Sequence, residues 1–119
     1  MGKTMINIDW LTYLGSWDAE RCGLVLKNGK PVELPNVHED PTHNFEIASE
    51  DASPFMADLA GLWHTHCSDD YNLSVMDYEA FLEHPSLTHL VISRVGVASY
   101  YVVDGVVING ERRLFHGQG

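Results

Sequence analysis

The chain has 119 residues and 13.3 kDa, a size for one core, and its 45% apolar content with three Trp, five Tyr and four Phe excludes a disordered polymer. Seventeen acidic residues against seven Lys and Arg leave a net charge of −10, which argues against phosphate backbones and anionic membrane surfaces as partners. Solubility alone explains that charge as readily as a cationic partner does.

No apolar run approaches the roughly 18 residues of a membrane-spanning helix, and residues 1–7 are too mixed for an export sequence. Cys22 and Cys67 do not make a disulfide framework, so a reducing compartment is the default expectation, with a single bridge between them left open. One domain over residues 1–119 is expected.

Taken in chain order, Asp9–Trp17 reads as a short helix capped by Asp9, with Trp10, Leu11, Leu14 and Trp17 on one face and Gly15 near its end. Gly23–Lys27 and Pro31–Leu34 then flank Asn28-Gly29, a pair that tolerates the positive φ of a hairpin turn. His38–Thr42 reads as loop, Asn44–Ala48 as a short strand, and Ser53–Asp58 as a helical turn. Leu59–His66 alternates like a strand ending in a polar segment. Ser74–His84 reads as a helix with Ser74 as cap, Val75, Tyr78 and Leu82 on one face and Pro85 beyond its end. Thr88–Arg94 looks like a buried strand, and Val97–Val103 and Val106–Asn109 form a hairpin about Asp104-Gly105. The sum is a mixed α/β domain on a largely antiparallel sheet flanked by helices.

The stretch that carries chemistry is Trp63-His64-Thr65-His66, seven residues, then Ser74-Val75-Met76-Asp77. Residues two apart on a strand share a face about 7 Å apart, so the two imidazoles can converge on one ion. A carboxylate from the first turn of the next helix would complete three protein ligands and leave one tetrahedral position for water, as catalytic zinc requires. Without a metal, His64 and His66 can equally be strand histidines satisfied by solvent, and Ser74 with Asp77 a plain capping box. Capping and ligation are compatible, and the combined spacing favours the metal.

Glu20-Arg21-Cys22-Gly23-Leu24, followed by His64-x-His66, seven residues and Ser74-x-x-Asp77, resembles the JAMM (MPN+) zinc metalloprotease motif. The similarity spans roughly Asp9 to Val107. Pro41-Thr42-His43-Asn44-Phe45-Glu46-Ile47 with Glu50-Asp51 further resembles the phage tail-assembly branch, whose members commonly carry a second, cysteine-peptidase domain. A stand-alone version or a fragment of such a protein is therefore expected. The resemblance implies an MPN/JAMM-like (cytidine deaminase-like) fold and amide hydrolysis. It implies Zn2+ on His64, His66 and Asp77, Glu20 as general acid/base on the metal-bound water, and Ser74 as hydrogen-bond donor to the oxyanion. It also implies a protein or peptide substrate: a tail protein, a peptidoglycan peptide, or a ubiquitin-like or sulfur-carrier conjugate. The setting would be the host cytoplasm or the virion tail. An inactive scaffold of the same fold is the alternative, against which all five motif positions are filled.

The chain departs from the family in having Cys67 where Pro often follows the second His, and a buried thiol is the expectation there. Between Gly61 and Asp77 there is no room for the insertions with which deubiquitinase relatives grip ubiquitin chains. Cys22 is expected in the core, and Trp63 alternates away from the ligand face into packing. Asp69 and Asp70 read as a solvated loop or a rim attracting cations. His38, His43, His84, His89 and His116 have no partner spacing and are assigned no chemistry.

Overall fold

The structure, a computed structural model, describes residues 19–66, 73, 75–93 and 96–114. Its elements are β1 (Cys22–Leu26), β2 (Pro31–Leu34), helix α1 (Ser49–Ala52) continued by a 3-10 turn (Ser53–Asp58), β3 (Leu59–Thr65), helix α2 (Val75–Glu83), β4 (Thr88–Ile92), β5 (Gly96–Val103) and β6 (Val106–Leu114). The strands form one open sheet in the order β2-β1-β3-β4-β5-β6. Every neighbouring pair is antiparallel except β3 and β4. The mixed α/β, largely antiparallel architecture is as expected; the helix expected over Asp9–Trp17 lies outside the described residues.

Both hairpin turns follow from their residues. Gly29 takes φ 87°, and Asn28 Oδ1 accepts the Lys30 N–H at 3.0 Å. Asp104 and Gly105 both have positive φ, 50° and 77°, the twist that matches a right-handed strand pair. β6 runs on past Asn109 to Leu114, beyond the expected end. Its register shifts between Ala98 and Tyr100, where the Ser99 hydroxyl accepts the Glu111 N–H at 2.8 Å and so keeps that donor satisfied.

The single parallel pair explains where α2 sits. Parallel strands cannot be joined by a tight turn, so the chain must cross over between β3 and β4, and α2 lies in that crossover. Phe81 anchors it against Val91, Ala98 and Tyr100. The register Cys22↔His64↔Val91 sets these three side chains on the α2 face of the sheet. Val25, Trp63, Leu90, Ile92 and Val97 alternate to the other face and are fully buried, as expected for Trp63.

One expectation is corrected. Asn44–Ala48 is not a strand. The Asn36 side chain takes the place of a ladder, its amide nitrogen donating to the carbonyls of Glu20 and Asn44 and its oxygen accepting from the N–H groups of His38 and Glu46. Val75, Tyr78 and Leu82 share one face of α2, as expected, and that face points outward. Val75, Tyr78 and Leu82 are 73%, 45% and 46% exposed, while Asp77 and Phe81, one turn apart, face the sheet. The gap between His89 and Tyr100 accepts the Phe81 ring, with centroids 4.5 and 5.5 Å away, and that packing sets the helix rotation. Among the described residues no helix is long and apolar enough to cross a membrane.

Candidate metal centre

The end of β3 is held on both sides. Thr65 donates its N–H to the Arg21 carbonyl at 2.8 Å, and its hydroxyl oxygen accepts the Arg21 N–H at 2.8 Å. His66, one residue past the strand, donates its N–H to the Ile92 carbonyl at 2.7 Å and so keeps the extended path. Strand alternation then sets both imidazoles on the α2 face, with ring centroids 5.1 Å apart. Asp77 arrives from the first turn of α2. The three side chains thus gather at the carboxyl end of a strand whose crossover helix begins there, the usual place for sites in α/β folds.

His64 Nε2 lies 3.2 Å from one Asp77 oxygen and His66 Nε2 3.3 Å from the other. One donor atom from each of the three residues falls within 4.8 Å of the others, and all three residues are buried. Ligand atoms about 2.0–2.1 Å from a tetrahedral ion stand about 3.3 Å apart, so two of the three separations match that geometry. Despite its distance from Asp77, His64 Nε2 is not aligned for a hydrogen bond and, although buried, has no other partner. Two imidazole nitrogens facing one buried carboxylate form a donor set that a cation would satisfy. The group can therefore hold a metal ion.

Burial keeps His64 neutral: it lowers the pKa below the ordinary 6.5, and the nearby His66 adds to this while Asp77 opposes it. A neutral imidazole is the form that ligates. Phe45 stacks on the His64 ring at 4.5 Å and 19°, fixing its plane.

Glu20 lies beside this group. Its backbone is pinned by an N–H donated to the Pro41 carbonyl at 2.7 Å and by Asn36 bonding its own carbonyl at 2.8 Å. Glu20 is 7% exposed, and its Oε1 is buried without a hydrogen-bond partner. Burial raises its pKa from 4.5 to about 7; His66 pulls it down, and Asp77 and Asp40 push it up. A carboxyl that titrates near neutrality is suited to proton transfer.

Among the residues the sequence singles out, His64, His66 and Asp77 come together, and Glu20 is close enough to feel the charges of His66 and Asp77. Ser74, Cys67, Asp69, Asp70 and His116 lie outside the described residues. Cys22 is core, fully buried, its thiol pushed up to about 12 chiefly by burial and then by Glu33 and Glu20, so it is unreactive. His43 is exposed beside Asp40 at 3.3 Å, and His38 accepts the Asp40 N–H.

Three contributors escape a reading of the sequence. Phe45 orients His64, and Asn36 ties the Glu20 segment to the loop. His89 is 2% exposed, its Nε2 3.2 Å from the His84 carbonyl, with a pKa lowered to about 4, first by burial. Only the alternation of Thr88–Ile92 hints that His89 faces α2.

No protein family and no curated protein matches the chain. Among solved structures, the chain is similar to protein DSY2949 from Desulfitobacterium hafniense, determined in solution. The similarity has a TM-score of 0.59 and 21% identity, and covers 81% of this chain and 78% of that one. It concerns the fold alone.

Proposed function

We propose that the chain is a zinc-dependent metallopeptidase or isopeptidase with an MPN/JAMM-type fold, hydrolysing an amide bond. The observation that carries this reading is the buried His64–His66–Asp77 group, with both histidine Nε2 atoms 3.2 and 3.3 Å from the two Asp77 oxygens and Glu20 beside it. Two imidazole nitrogens and one carboxylate oxygen are a donor set that suits zinc. When bound there, zinc would lower the pKa of its water to about 7 and polarise a carbonyl. The carboxylate of Glu20 accepts a proton from the attacking water as the C–O bond forms, and delivers it to the amine nitrogen as the C–N bond breaks. Ser74 is assigned, from the motif, the hydrogen bond to the developing oxyanion.

The substrate class is protein or peptide, with a phage tail protein, a peptidoglycan peptide and a ubiquitin-like conjugate as candidates, and tail assembly in the host cytoplasm or virion tail as the setting. The test incubates zinc-loaded protein with each candidate, with and without chelator, beside Glu20→Gln. Cleavage that chelator abolishes and that Glu20→Gln loses while retaining zinc is the expected result. Full activity in Glu20→Gln would refute the mechanism. Zinc retention with no turnover on any candidate would make the chain an inactive scaffold.

A further inference from the structure

Between α2 and residues 45–59 the surface opens into two cavities. The larger, about 500 Å3, is floored by Leu24 and Leu62 of the sheet and walled partly by Met56. The smaller, about 250 Å3, reaches the metal-site residue Asp77. Four residues, Phe45 and Glu46 among them, line both. The two are therefore one continuous cleft, apolar at its far end and joined to the candidate centre at the other. Phe45, which stacks on His64, sits at the junction.

The near part of the cleft is acidic. Glu46, Glu79 and Glu83 line it together with Asp77, and no Lys or Arg lines either cavity among the described residues. Among those residues none of the three glutamates takes part in an ion pair. Three uncompensated carboxylates on a chain of net charge −10 attract cations and repel anions. The far part is large enough for a bulky apolar side chain and its neighbours.

We infer that this cleft is the specificity site for an extended polypeptide segment. A large apolar side chain of that segment fills the Leu24–Leu62–Met56 end. A Lys or Arg lies between it and the bond at the metal centre, against Glu46, Glu79 and Glu83. That the segment is a substrate rests on the hydrolase reading, whereas its binding needs no metal.

The test measures fluorescence anisotropy of labelled short peptides on the full chain, with chelator present, at low and high salt. The peptides share a Gly/Ser host and carry Phe with Arg, Ser with Arg, Phe with Glu, or Ser with Glu. The Phe/Arg peptide is expected to bind best, with replacement of Phe costing at least about tenfold. Exchange of Arg for Glu is expected to cost roughly tenfold at low salt and less at high salt. Because Met56 is 58% exposed and Glu79 and Glu83 lie on the helix surface, variants there will fold. Met56→Glu should weaken only the Phe peptides, and the pair Glu79→Lys with Glu83→Lys should reverse the preference between Arg and Glu. Equal binding of all four peptides, no binding of any, or unchanged preferences in both variants would overturn the inference. Zinc-dependent cleavage without these preferences would sink the cleft and leave the hydrolase standing. The preferences without any cleavage would do the reverse.

Discussion

Glu20→Gln should make the metal-free protein more stable at neutral pH while removing its catalytic acid/base. The carboxyl of Glu20 is buried, with Oε1 unpartnered and a pKa raised from 4.5 to about 7. For an acid whose folded pKa is raised, the neutral form is the one the fold prefers. Below pH 4.5 Glu20 is protonated in both states and has no effect on the equilibrium. Between pH 4.5 and 7 the unfolded chain has released the proton and the folded one retains it, so stability falls as pH rises. The interval of 7 − 4.5 = 2.5 units, at about 1.4 kcal/mol each, gives a loss of about 3 kcal/mol by pH 7.5. Gln has nearly the same shape and no proton to lose. His64 and His89, both with lowered pKa values, push stability the opposite way over part of this range, so the informative quantity is the variant-minus-wild-type difference. Urea denaturation in the presence of chelator, repeated from about pH 4.5 to 8, measures it. The difference should grow from near zero to about 3 kcal/mol in favour of Glu20→Gln. A flat difference across that range would refute the account of Glu20 as a desolvated carboxyl.

Zinc at about 100 times its Kd should stabilise the wild-type chain by about 2.7 kcal/mol. Chelator should reverse this, and Asp77→Asn should weaken zinc binding by more than about 100-fold in a competition titration, since loss of a ligand exceeds loss of an outer-shell partner. Gly23→Ala should destabilise by about 3 kcal/mol or prevent folding. A Cβ there would collide with the Val32 carbonyl oxygen and come 2.7 Å from the Trp63 indole nitrogen, both in fixed positions; thermal unfolding checks this. His89→Gln should remove an acid limb from the stability profile. The folded pKa of about 4 against an ordinary 6.5 means His89 supports the fold above pH 6.5 and costs about 3 kcal/mol as pH falls to 4. Equal acid sensitivity of wild type and variant would contradict that.

How much is legible in the residues can be judged at particular places. The hairpins are, because Asn28-Gly29 and Asp104-Gly105 close turns by local backbone preference alone. The two-residue spacing of His64 and His66 is too, because strand alternation is a local property. Asn44–Ala48 reads as a strand and is none, because the Asn44 carbonyl and the Glu46 N–H bond the Asn36 side chain, eight and ten residues upstream, which no local pattern reveals. The outward face of α2 is likewise hidden, since the helix offers two stripes and only the space beside His89 and Tyr100 selects the one bearing Phe81.

The same division holds at the site. Identity and spacing supply three donors able to converge and a glutamate far upstream, but in the chain Glu20 and His64 are 44 residues apart. Pairing of β1 with β3 is what carries Glu20 to the end of the strand bearing the histidines, and Thr65 bonding Arg21 fixes the approach. Burial, which neutralises His64 and lifts Glu20 toward neutrality, belongs to no residue by itself. Local interactions choose turns and alternation because they act within a few residues. Desolvation and convergence arise only when segments distant in the chain exclude water from one another.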